Sequence, residues 1–208
     1  DFVLPHVSSL RPSWLIQIGL KLYDLLSGKT KFPRSKKINL DHLDNFISNE
    51  FKYGFQYSDL QIDDSRLTLL NLLDAHNQGA EIFNYTKVEK VQKLNSCWEI
   101  KLSNGKTLRS KILINASGPM ILDSFQNVIE ETSDCEIKLV QGSHIVTTKL
   151  YEGSHAYILQ QSDQRIVFII PYLEKYSLIG TTEKEVNSPY NPKITPEEES
   201  YLLDCVNN

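Results

Sequence analysis

Between Pro12 and Leu26 the apolar residues Trp14, Leu15, Ile18, Leu22, Leu25 and Leu26 recur at three- and four-residue steps. That spacing predicts an amphipathic helix, and Gly28 follows as its stop signal. A second helix is predicted over Arg66–Asn77, where Leu67, Leu70, Leu73 and Ala75 alternate with polar residues. Asp63-Asp64-Ser65 can cap its start and Gly79 can end it. A short strand is expected next, at Glu81–Asn84. Across Thr86–Thr107 the polarity alternates on both sides of Ser103-Asn104-Gly105, which reads as strands joined by a tight turn. Ile112-Leu113-Ile114 within Lys111–Asn115 reads as a buried strand that runs into Ala116-Ser117-Gly118-Pro119. From Ile137 onward the pattern is strand-rich: Val140–Thr148, Ala156–Gln160, Arg165–Pro171 and Tyr176–Gly180 carry β-branched and aromatic residues between turn formers. Thr195-Pro196-Glu197-Glu198 puts a capping threonine before a proline and acidic residues in a first helical turn, so a last helix begins there.

The order of these elements predicts an α+β fold with two interleaved lobes. One is an α/β lobe around residues 60–120, the other an antiparallel sheet around 137–182. No internal repeat or low-complexity tract interrupts them.

Composition narrows the picture. With 208 residues, 40% hydrophobic and 10% aromatic, the chain can bury one substantial core or two smaller ones and is not disordered. Its apolar runs are interrupted by polar residues or fall far short of the roughly 20 residues that cross a bilayer. A net charge of −4 gives no global attraction to nucleic acid, although Lys29–Lys37 is locally basic, either as a solvated loop or as a phosphate or lipid contact. Cys97, Cys135 and Cys205 are odd in number and lack metal-ligand or redox spacing, which fits a reducing, cytoplasmic compartment. The opening Asp1-Phe2-Val3-Leu4-Pro5 has neither an initiator methionine nor a signal-peptide layout, so the chain reads as cut from something longer.

Candidate chemistry gathers at three places. Gln141-Gly142-Ser143-His144 precedes the apolar Ile145-Val146, so a glycine bend would present a serine and a histidine at a sheet end. His144 there is either a general base or a hydrogen-bonded structural residue. Ile179-Gly180-Thr181-Thr182-Glu183 ends a strand with hydroxyls that could orient a polyol or phosphate, or simply close a turn. The small residues of Asn115-Ala116-Ser117-Gly118 would let a cofactor backbone approach, as they would at many strand ends. His6, His42, His76 and His155 have no accompanying motif, and no ligand spacing supports a metal. Asp63, Asp64 and Arg66 are either catalytic or a helix cap with a surface ion pair.

Taken in order, these segments resemble the flavin-dependent glycerol-3-phosphate dehydrogenases over nearly the whole chain. The matching stretches are Leu10–Trp14, Ile18–Leu20, Leu22–Asp24, Gly54–Asp59, Asp63–Leu67, Asn115–Pro119, Gly142–Val146, Ala156–Gln160, Arg165–Phe168 and Ile179–Thr182. The resemblance implies oxidation of sn-glycerol 3-phosphate to dihydroxyacetone phosphate, with electrons passing through FAD to a membrane quinone. It implies that His144 takes the proton of the reacting carbinol, that Thr181 and Ser143 lie at the substrate, that Val88 contacts the adenine end of FAD, and that Ala116 and Gly118 line the cofactor. On this reading residues 1–59 are a helix and connecting segment of the substrate lobe, 60–120 a partial FAD-binding lobe, and 121–208 the antiparallel-sheet substrate lobe.

The chain also departs from the family pattern. Met120 and Gln61 stand where tryptophan is usual, Gln141 replaces a lysine, and Glu183 replaces an aspartate. There is no GxGxxG, and the family's phosphate-holding arginines and lysine lie in other stretches, so this chain by itself is expected to be inactive. Two alternatives remain: a related FAD-dependent amine or amino-acid oxidase, and a non-catalytic truncated remnant. The helix at Pro12–Leu26 either packs in a core or meets the inner face of the cytoplasmic membrane peripherally.

Overall fold

The computed structural model describes residues 1–7, 11–28, 31–41, 43, 46–48, 50–129 and 136–207. Leu10, Lys29, His42 and Cys135 therefore lie outside the described residues. The elements are β1 (Phe2–His6), α1 (Ser13–Leu26), β2 (Lys36–Asn39), β3 (Tyr53–Tyr57), α2 (Asp64–Asn77), β4 (Val88–Lys93), β5 (Trp98–Leu102), β6 (Thr107–Ser110), α3 (Ile121–Ser124), β7 (Val140–Gln141), β8 (His144–Thr148), β9 (Ala156–Gln160), β10 (Ile166–Tyr172), β11 (Tyr176–Gly180), β12 (Lys184–Glu185) and α4 (Pro196–Asn207). The chain divides into two compact units: Asp1–Leu60, Val140–Lys184 and Asn191–Asn208 in the first, Gln61–Leu139 and Glu185–Tyr190 in the second. Residues 121–139 thus cluster with the unit that holds 61–120.

The first unit is built on a seven-stranded sheet in the order β2-β3-β1-β9-β10-β11-β8. The strands β9, β10, β11 and β8 form the antiparallel run that the alternating pattern predicts. The N-terminal strands extend it into a mixed sheet, because β1 lies parallel to β9 and antiparallel to β3. Sequence pattern alone does not mark β1–β3, since Pro5, Gly54 and the polar ends of these strands break the alternation. Tyr157, Val167, Ile169 and Ile179 on the central strands meet Val3, Leu40, Tyr151 and Leu202 in one core. Burial of these side chains is the main force holding the unit, each worth about 1.5–3 kcal/mol relative to exposure.

In the second unit, β4, β5 and β6 form a three-stranded antiparallel sheet over a small core of Val91, Ile100 and Leu102. Gly105 takes φ +83°, as the predicted turn requires. The helix α2 starts at Asp64, two residues before the predicted Arg66, and Asp63 caps it: its Oδ1 accepts the Arg66 amide at 2.9 Å.

Two predicted strands are absent. Glu81–Asn84 is turn and coil, and Lys111–Asn115 is a bend followed by coil without ladder partners. Only Leu113 packs on the core, while Ile112 and Ile114 are 73% and 82% exposed. An apolar run becomes a buried strand only when neighbouring strands satisfy its amides and cover both faces, and none lies beside it among the described residues. The predicted Lys29–Lys37 loop gives way to β2 at Lys36, where Lys37 Nζ sits 3.4 Å from the centroid of the Tyr53 ring. In α1, Tyr23 donates to the Ser58 carbonyl at 3.1 Å, yet Trp14, Ile18, Leu22 and Leu26 stay exposed among the described residues.

Candidate active site

The strand ends of β8 and β11 lie side by side, with His144 paired to Gly180. The imidazole crosses the Gly180 backbone so closely that a Cβ at position 180 would sit 2.6 Å from its Cγ and 2.8 Å from its Nε2. Glycine is therefore needed here for room, since its φ is not in the left-handed region. Gly142 does the same for Thr181: an added Cβ would lie 2.5 Å from Thr181 Oγ1. Two glycines thus let His144 and Thr181, distant in sequence, share one sheet end. His144 is exposed and Thr181 half-buried. Thr181 Oγ1 donates to the Thr182 carbonyl at 3.0 Å.

Ser143 is buried beneath this end, and its hydroxyl faces inward. Its Oγ donates to Glu198 Oε1 at 2.9 Å, and Thr182 Oγ1 donates to the same oxygen at 2.7 Å. The Ser143 amide donates to Thr182 Oγ1 at 2.9 Å, and the Thr182 amide to the Ser143 carbonyl at 3.2 Å. The other carboxylate oxygen, Glu198 Oε2, accepts the Thr195 amide at 3.0 Å. Glu198 is only 8% exposed, and its three donors are neutral. The Thr182 hydroxyl, aided by the Thr195 amide and the Ser143 hydroxyl, outweighs desolvation and holds the Glu198 carboxyl below the usual glutamate range. Gln141 uses its amide to donate to the Lys193 carbonyl at 2.8 Å and to Ser143 Oγ at 3.3 Å.

Sequence reasoning missed Glu198 as part of this end. Thr195-Pro196-Glu197-Glu198 does spell a capping box, in which the glutamate reaches back to the threonine amide. It does not show that the second oxygen reaches two strands that precede the helix.

The residues that the resemblance assigns to FAD lie in the second unit. Val88 opens β4, an edge strand of its sheet, just before a bulge between Val88 and Lys90. Gly118 has φ +58° and open space where a Cβ would point, and Ala116 beside it is exposed. Ser117 is held by Asn115, whose Oδ1 accepts its hydroxyl at 2.7 Å and its amide at 3.3 Å. A small-residue turn, locked from below and open above, fits a dinucleotide cofactor that must approach the backbone closely. The other histidines among the described residues have local duties. His6 Nε2 lies 2.9 Å from the Arg11 carbonyl, His76 Nδ1 lies 3.2 Å from the Ala80 carbonyl, and the His155 ring packs on Tyr151 and Tyr157.

A family model described as FAD dependent oxidoreductase matches residues 16–208. A glycerol-3-phosphate dehydrogenase from Pseudomonas aeruginosa is 42% identical over 99% of this chain and 41% of its own length. A D-erythritol 1-phosphate dehydrogenase from Brucella abortus is 37% identical over 99% of this chain and 43% of its own length. The chain thus spans well under half the length of these curated relatives. Among solved structures, a glycerol-3-phosphate dehydrogenase from Bacillus halodurans complexed with FAD superposes with a TM-score of 0.63 at 22% identity, covering 99% of this chain and 38% of that one. That likeness concerns the fold.

Proposed function

We propose that this chain, which belongs to the family of FAD-dependent oxidoreductases, forms part of a dehydrogenase that oxidises sn-glycerol 3-phosphate to dihydroxyacetone phosphate and passes the electrons to a membrane quinone. The observation that carries this reading is the sheet end where Gly180 and Gly142 make room for His144 beside Thr181. A polyol phosphate needs a base at the carbinol and a hydroxyl partner near it, and relatives named for such substrates share nearly the whole chain. His144 takes the carbinol proton as the same carbon loses its hydride. Thr181 orients the substrate, and Ser143 braces the bend from below rather than reaching outward. FAD, when bound, supplies the two-electron acceptor that no side chain here provides. Val88, Ala116 and Gly118 would hold it.

The whole protein would work in the cytoplasm, peripherally on the inner face of the membrane where it must meet a lipid-soluble acceptor. No described helix is long and apolar enough to cross a bilayer. A longer polyol phosphate is the second reading, favoured by the Brucella relative.

The test is anaerobic reduction of the full gene product loaded with FAD. Glycerol 3-phosphate should bleach the flavin absorbance, and His144→Ala should lower turnover by about 10²–10⁴. A loss under about tenfold would remove His144 as the base. Bleaching by erythritol phosphate in preference would select the second reading, and bleaching only by an amino acid would move the chain to the amine-oxidase branch. Titration of this chain alone with FAD, followed by flavin fluorescence, should show weak binding or none. Tight binding with substrate-driven bleaching would show that the chain suffices.

A further inference from the structure

We infer that Glu198 is a positioning residue for the reaction proposed above: from the first turn of α4 it clamps the two strand ends that carry His144 and Thr181. The inference rests on that functional reading and adds a residue on a third element. The β8–β11 ladder stops at the His144–Gly180 pair. Beyond it, one backbone bond, from the Thr182 amide to the Ser143 carbonyl at 3.2 Å, joins the two sides, and side chains supply the rest of the order. One carboxylate oxygen, Oε1, takes hydroxyl protons from both sides of the gap, from Ser143 at 2.9 Å and from Thr182 at 2.7 Å. Each donor is the immediate chain neighbour of a proposed site residue. The other oxygen is anchored to the Thr195 amide at 3.0 Å, so the carboxylate cannot turn without breaking α4's own cap. Charge-assisted bonds to one buried anion hold both strand ends to a common reference point.

A helix cap alone needs only the Thr195 contact, and an exposed carboxylate would serve. Burial of Glu198 against Ser143 and Thr182 exceeds that need. Glu198→Gln keeps the shape but removes the charge: an amide nitrogen at Thr195 faces another donor, and one at the two hydroxyls makes both rotate and accept instead of donating.

The experiment compares the FAD-loaded full gene product with Glu198→Gln and with Thr195→Ala, which removes the hydroxyl that accepts the Glu198 amide at 3.4 Å and keeps the backbone amide that holds Oε2. Glu198→Gln should lower kcat by about 10- to 100-fold, as a misplaced base does. KM should stay within about threefold, because ground-state binding is kept. Thr195→Ala should lower the melting temperature yet keep kcat within about twofold. A Glu198→Gln kcat within about twofold of wild type, or parallel kcat losses in both variants, would reduce Glu198 to a cap and overturn the inference. If the wild type fails to oxidise glycerol 3-phosphate, the functional reading falls, and histidine-selective NMR decides the positioning claim separately. His144 ring signals that move in Glu198→Gln and stay fixed in Thr195→Ala uphold the clamp. Signals unchanged in both reject it.

Discussion

The two compact units use their apolar residues differently. In the first, the strands β9, β10 and β11 turn Tyr157, Val167, Ile169 and Ile179 onto a core that also receives Val3 from the N-terminus and Leu202 from α4. In the second, three buried residues, Val91, Ile100 and Leu102, form the core, while Ile112, Ile114 and all five leucines of α2 face outward among the described residues. The first unit closes its core from segments far apart in the chain. The second carries more apolar pattern than its own core consumes. Apolar periodicity records where burial pays off in the complete context; it does not say whether that context lies within one unit.

The contrast can be broken most sharply in the first core. Ile169→Ala should destabilise the first unit by about 2–5 kcal/mol, because the lost side chain leaves a cavity between packed strands. Denaturant unfolding followed by hydrogen exchange should show the loss over β9–β11; a change under about 1 kcal/mol would mean that this core is loosely packed.

A smaller effect is expected from pH. The Glu198 carboxyl titrates below its ordinary range in the folded state, so its stabilising contribution is complete above the unfolded glutamate value of about 4.3. It fades as pH falls through the lower folded value. Melting temperature plotted against pH should therefore drop more steeply on the acid side for the wild type than for Glu198→Gln. Coincident curves would mean that Glu198 folds without the ionised contacts described.

The smallest effect should come from Ile114→Ser. An 82% exposed isoleucine loses little, so the isolated chain should keep its stability within about 0.5 kcal/mol. A clear loss would show that position 114 is covered, and the difference between the two units would shrink accordingly.

Local chemistry decided much of what is seen. The α1 and α2 spans, the Asp63 cap, the Gly105 turn, the β9 and β11 boundaries and the start of α4 are all legible in the sequence. Each depends on contacts within a few residues: periodicity, a side chain reaching its own helix amide, or a glycine taking a positive φ. The segments Gly142–Val146 and Ile179–Thr182 were legible as motifs for the same reason. Three features were settled only by tertiary structure. The parallel pairing of β1 with β9 joins residues more than 150 positions apart, which no local period encodes. The unpaired state of Lys111–Asn115 depends on which strands lie beside it. Glu198 looks like an ordinary capping-box residue until the fold brings Ser143 and Thr182 against its free oxygen. A hydrogen bond between elements is chosen by the packing that delivers its partners, and that choice is made by the whole core.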